Sequence, residues 1–103
     1  MPDKHYDFKA NVWLYSFEGA TSWHFVTLPL EMSDEINFLY KDMRKGWGSL
    51  PVNVELEDDY TWKTSIFWSK EANSYIMPIK SEIRRKSKIE KGDIINLKIT
   101  III

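Results

Sequence analysis

Cysteine is absent from this 103-residue chain, which excludes disulfides, thiolate nucleophiles and thiolate metal sites together. Histidine is scarce: His5 and His24 stand alone, with no second ligand at metal spacing, so neither a metal nor any other cofactor is expected. Net charge is nearly absent at −1, so no global field draws in nucleic acid or an anionic membrane. Four glycines and four prolines are too few for a disordered or low-complexity chain, and no glycine-rich phosphate loop is present. Long apolar runs are missing too: the start, MPDKHYDFK, is polar, and nothing approaches the ~18 residues of a membrane span. A soluble cytoplasmic protein is the expectation.

What the chain does have is aromatic and apolar: 44% hydrophobic residues, with five Trp, five Tyr and five Phe. That is enough for one core, and the length fits one domain over residues 1–103, with about 1–6 as a tail. From Phe8 to Phe17 the order FKANVWLYSF alternates, placing Phe8, Ala10, Val12 and Leu14 on one face and Lys9, Asn11, Trp13, Tyr15 and Phe17 on the other, as in a strand. A turn over Glu18–Thr21 leads into a second strand, Ser22–Leu28, ended by Pro29. Ser33-Asp34-Glu35 then reads as a helix start, with Ile36, Leu39, Tyr40 and Met43 at inward spacing and Gly46 as the stop.

Strands follow over Ser49–Glu57, with Leu50, Val52, Val54 and Leu56 on one side, and over Tyr60–Trp68, joined by an Asp58-Asp59 turn. A strand over Ser74–Ile79, a short helix over Ser81–Ser87 and a last strand over Asp93–Ile103 complete the pass. The expected fold is mostly β: a small barrel of about six strands with two short helices. The scheme strand, proline, helix, Lys-Gly, strand occurs twice, at Phe25–Leu56 and Ser74–Ile99, as a weak internal repeat.

Four blocks in fixed order carry a family resemblance: Trp23-His24-Phe25-Val26-Thr27-Leu28-Pro29, Gly46-Trp47-Gly48-Ser49-Leu50-Pro51-Val52, Trp62-Lys63-Thr64-Ser65-Ile66-Phe67, and Met77-Pro78-Ile79-Lys80 with Ile83-Arg84 and Gly92-Asp93. The chain resembles the bacterial domain-of-unknown-function family 1905 over nearly its whole length. The resemblance implies a double-split β-barrel related to the swapped-hairpin barrels of AbrB-like transition regulators. It brings no activity and no catalytic residues. Trp68 departs from the family pattern, which often has proline there, so the hairpin after this strand is expected to differ. Some relatives continue into a helical domain linked to bacteriocin protection; with the sequence running to Ile103, that domain is not expected here and the association is not carried over.

Two groups of residues are candidates for function. Lys80, Arg84, Arg85, Lys86, Lys88 and Lys91 outnumber Glu82 and Glu90 by four, so Arg84, Arg85, Lys86 and Lys88 are candidate phosphate contacts. The competing reading packs Ile79, Ile83 and Ile89 inward and leaves the cations solvated, where they also suit the helix dipole. The second group is aromatic. Trp23, Trp47, Trp62 and Trp68, with Thr64 and Ser65 as polar orienting groups, are candidates for lining a ligand pocket. The competing reading makes them barrel filling, with indole N–H groups bonded to nearby carbonyls. No nucleophile elbow or oxyanion loop supports a Ser65–His24–Asp93 triad, so no catalytic residue is assigned.

The expectation is a non-catalytic module, monomeric or a weak homodimer, that binds a small ligand or a protein. An AbrB-like DNA-binding role is the alternative, and an enzyme with an aromatic-lined pocket is the third reading.

Overall fold

The computed structural model describes residues 4–15, 23–57 and 60–102. Seven strands form one antiparallel, curled sheet: β1 (His5–Asn11), β2 (Trp13–Tyr15), β3 (Trp23–Thr27), β4 (Ser49–Leu56), β5 (Tyr60–Ser69), β6 (Ser74–Pro78) and β7 (Ile94–Ile101). Helix α1 (Leu30–Tyr40) follows β3, and α2 (Ser81–Ser87) follows β6. The sheet order is β1-β7-β4-β5-β6-β3-β2. The expected turns at Glu18–Thr21 and Asp58-Asp59 lie outside the described residues.

The two ends of that order, β1 and β2, are consecutive in the chain and separated only by Val12. The alternation from Phe8 to Leu14 therefore belongs to one extended segment, as its sequence implies, but the segment changes neighbours. Up to Asn11 it pairs with β7, where Asn11 faces Ile94. From Trp13 it pairs with β3, where Trp13 faces Phe25. At the crossing the Val12 N–H donates to the Asp93 carbonyl at 2.8 Å, and the Gly92 N–H donates to the Val12 carbonyl at 2.8 Å. The six expected strands become seven for this reason, and the edges of the curled sheet meet at one residue. His5 and Tyr6, placed in a tail by the sequence, belong to β1, and Tyr6 is buried.

The concave face carries the core. Val52, Val54, Ile66, Met77, Ile99 and Ile101 are each 0% exposed, so the strictly alternating strands put their β-branched and aliphatic residues on one side. Each such side chain taken from water contributes about 1.5–3 kcal/mol. Ile36 and Tyr40 of α1, and Ile83 of α2 with Ile79 and Ile89 beside it, complete the same cluster. Asp93 closes the turn before β7 as its residue type suggests, its Oδ2 accepting the Glu90 N–H at 2.8 Å.

Helix α1 departs from the sequence reading. It begins at Leu30 directly after Pro29, and Ser33 is not its cap but a fully buried residue one turn inside. The Tyr75 N–H donates to Ser33 Oγ at 3.0 Å, the Ser33 and Ser74 hydroxyls lie 2.5 Å apart, and Ser74 Oγ donates to the Leu28 carbonyl at 2.8 Å. Because the Ser74 proton goes to Leu28, Ser33 supplies the proton between the hydroxyls. This chain of bonds ties α1 to β6 and satisfies polar groups that have no other partner in the apolar interior. Ser33→Ala strands the Tyr75 N–H and is expected to lower stability by about 1–3 kcal/mol, read by urea denaturation. The helix buries Ser33, Ile36 and Tyr40 and stops there, so Leu39 on its flank and Met43 in the following 3-10 turn Lys41–Met43, both expected inward, are about half exposed.

The two halves of the weak repeat have the same element order, β3–α1–β4 and β6–α2–β7. Their corresponding strands are paired with each other: Val26 faces Met77 in β3–β6, and Val54 faces Ile99 in β4–β7. Each half thus supplies the neighbour that covers the other's backbone groups.

Candidate functional site

Strands β2 and β3 put their odd-numbered residues on the convex face, and nearly all of these are aromatic. Trp13 lies directly across from Phe25, and Tyr15 across from Trp23. The Trp13 and Phe25 rings stack at 5.0 Å between centroids with planes 23° apart, and Trp23 lies 6.3 Å from Phe25 at 15°. Tyr15 meets Phe25 edge-on at 6.5 Å and 85°. These separations are those at which aromatic pairs attract beyond their area burial. The Trp13 indole Nε1–H donates to Thr27 Oγ1 at 2.9 Å, which fixes the orientation of the first ring in the stack. The rings are ordered by one another, yet Trp23 remains 58% and Tyr15 50% exposed. An aromatic face that is preorganised and open to solvent is a ready stacking surface.

On its other side β3 pairs with β6, Phe25 facing Pro78. The Ile79 N–H donates to the His24 carbonyl at 2.9 Å and extends the pairing past Pro78, so Lys80 comes beside Trp23. Burial along β6 and the two residues after it agrees with this side for Lys80: Tyr75, Met77 and Ile79 are buried, while, beyond the buried Ser74 that bonds α1, Ile76 and Pro78 are half-buried and Lys80 exposed.

The six residues expected to line one pocket do not converge. Trp62, Thr64 and Trp68 point to the concave side of β5; Trp23 and Ser65 lie on convex faces; Trp47 sits in the loop before β4. Trp62 is core filling, as the competing reading held, but its buried indole N–H has no hydrogen-bond partner. Trp68 meets the Tyr75 ring edge-on at 5.2 Å and takes the Arg44 guanidinium over its own ring at 5.5 Å. Trp47 is 91% exposed at φ 63°, a left-handed conformation that bulky side chains rarely adopt. Gly48 after it is there for the chain's own packing: at φ +65° a Cβ would stand 3.3 Å from Trp68 Cβ.

Residues 8–99 match the family model described as a domain of unknown function, DUF1905. The chain belongs to this family. A comparison with curated proteins finds no match. In this DUF1905 domain the sequence blocks noted above are the strand β3 with Pro29, the Trp47 loop entering β4, the strand β5, and the β6–α2 passage.

The cations of the DUF1905 domain's α2 are held differently from one another. Lys86 Nζ pairs with Glu82 at 3.0 Å, and Lys86 also offers its carbonyl to Tyr60 OH at 3.2 Å. Lys88 is the left-handed residue ending the helix, at φ 58°. Arg85 is exposed. Arg84 is half-buried, its Nε without a partner, and it lies close enough to His24 to be felt there. Burial first, and Arg84 second, hold His24 below the usual histidine pKa, so the ring is neutral near pH 7.

Two hollows open elsewhere on the domain. One of about 730 Å3 lies over β1, β7 and β4, rimmed by Asp7, Lys9, Glu55 and Lys98; one of about 320 Å3 lies between Tyr60, Lys86, Lys88 and Ile94. Neither is lined by any of the six pocket candidates. The sequence offered no signal for the first, since each of its charges is one solvent-facing residue of an alternating strand. Among the described residues no group of three or more His, Cys, Asp or Glu gathers as a metal site, and no helix is long and apolar enough to cross a membrane.

Proposed function

We propose that this protein is a non-catalytic binding module that takes a small ligand or a protein segment on the aromatic face of β2 and β3. The observation that carries this reading is the ladder of Trp13, Phe25 and Trp23, nearly parallel and with the last ring 58% exposed. Holding apolar rings in water is unfavourable, and ordering them beforehand lowers the entropy lost when a flat ligand settles on them. We also take the curled sheet, whose edges meet at Val12, as a double-split barrel of the AbrB-like kind; the strand order supports that kinship.

Tryptophan emission and thermal shift against a panel of oligosaccharides, nucleotides and proline-rich peptides test the binding reading. At least one class is expected to raise the melting temperature of the native protein. The shift is expected to vanish in Trp23→Ala, whose own stability changes little because the ring is exposed. A panel in which every response survives Trp23→Ala overturns the assignment of the face.

A further inference from the structure

The aromatic face does not stand alone. Its outermost row runs Tyr15, Trp23, Lys80 across three strands' worth of backbone, so a stacking ring and an exposed ammonium are neighbours on one surface. Adjacent cross-strand side chains stand about 5 Å apart at Cβ, and lysine adds a flexible stem of several ångströms. That separation suits a planar group and an anion joined through a small linker.

Among the described residues Lys80 forms no ion pair, whereas Lys86 is engaged by Glu82. Helix α2 begins at Ser81, directly after Lys80, and its Arg84 acts on His24, which has the opposite strand parity to Trp23 and Phe25, so the ammonium of Lys80 is the cation that the β3–β6 register brings to the aromatic side. The convex surface here combines three nearly parallel aromatic rings with the exposed ammonium of Lys80. Neutral sugars and proline-rich peptides would use the rings and leave the cation idle. A nucleotide strand uses each: every base has a flat π-face, and every linkage carries one negative charge.

We propose that the Trp23–Lys80 surface binds single-stranded nucleic acid, a base stacked on Trp23 and the neighbouring phosphate at Lys80. The proposal rests on the aromatic face being the binding surface and specifies its ligand. The surface has rings to stack on and no groove-reading helix, so it favours unpaired bases. In a duplex the base faces are already covered.

Fluorescein-labelled oligothymidylate and oligouridylate, titrated by anisotropy at low and moderate salt, test it. Binding of either is expected at low salt, and a preference for one tells DNA from RNA. Trp23→Ala is expected to weaken it about tenfold or more, with Trp23→Phe recovering part of the loss. Lys80→Ala is expected to flatten the slope of log affinity against log salt by about 0.7, the share of one phosphate on a single strand. Oligonucleotides that fail to bind overturn the proposal, as do equal affinity for a duplex of the same length, equal competition by dextran sulfate, or indifference to Trp23→Ala. If oligonucleotides fail while another panel ligand gives a Trp23-dependent thermal shift, the aromatic face remains the binding surface and only its ligand is reassigned.

Discussion

Tyr75→Ala is expected to remove about 3–5 kcal/mol of folding stability, the range for deleting a large ring from a packed core. A domain of this size has about 5–15 kcal/mol in total, so the variant sits near the edge of folding at 37 °C. Burial and two contacts explain the size of the effect. The ring is 0% exposed on the concave face of β6 and meets Trp68 edge-on at 5.2 Å. Its hydroxyl donates to Asn37 Oδ1 of α1 at 3.3 Å, so the same side chain joins sheet to helix. Burial raises the phenol's pKa against the opposing pull of Arg44, so it stays a neutral donor across the physiological range. Tyr75→Phe keeps the ring and loses the one long hydrogen bond, at a cost of about 1 kcal/mol. Urea denaturation of the two variants separates packing from hydrogen bonding. Similar losses for both would mean that the hydroxyl, not the ring, joins sheet and helix.

Val12→Asp is expected to cost about as much, by a different route. Val12 is 2% exposed where the sheet's edges meet, and its N–H and carbonyl are both engaged with the Gly92-Asp93 turn. An uncompensated buried carboxylate costs about 3–5 kcal/mol. Burial also raises the folded-state pKa of the introduced acid above its unfolded value, so the folded form takes up the proton first. The penalty is therefore full well above that raised pKa and shrinks as pH falls through it toward the unfolded value. The stability difference between native protein and variant, measured from pH 8 to pH 5, is expected to narrow on acidification. A pH-independent gap would mean that the carboxylate reaches water and the seam is looser than its geometry indicates.

Alternation found β4, β5, β6 and β7, because a residue buried on one face of a strand leaves a period of two whatever lies beside it. For the same reason it missed the break at Val12: the inward set Phe8, Ala10, Val12, Leu14 is unaffected by a change of neighbour. The start of α1 was misread because a serine that caps a helix and a serine that bridges two elements use the same hydroxyl, and Ser33 does the second. Leu39 and Met43 follow helical spacing from Ile36, but α1 buries the line Ser33, Ile36 and Tyr40, which leaves Leu39 on its flank, and the 3-10 turn after Tyr40 takes Met43 out of the helical spacing. Trp62 and Trp68 shared a strand face in both sequence and structure, while Trp23 and Trp47 were grouped with them by residue type alone. The aromatic ladder was half legible: the parity of Trp13 and Tyr15 was plain, but their register against Trp23 and Phe25 needed the pairing of two strands. Lys80 was counted among the cations; only the hydrogen bond between Ile79 and His24 places it beside an indole.

The single residue that joins both ends of the sheet order also sets how the chain must fold. Among the described residues strand β1 finds its one ladder partner in β7, and His5 meets Thr100 across 95 positions of sequence. Closing a loop that long precedes any reward from the contacts it makes, so the topology predicts folding in milliseconds to seconds rather than microseconds. Until then β4, β5 and β6, neighbours in both the chain and the sheet, can assemble locally, while β1 waits. A species with Val12 unseated presents two open strand edges at once, and such edges template pairing between molecules. The crowded, slow-forming seam is where this small domain is most exposed to aggregation during refolding, and where a folding helper would find its substrate.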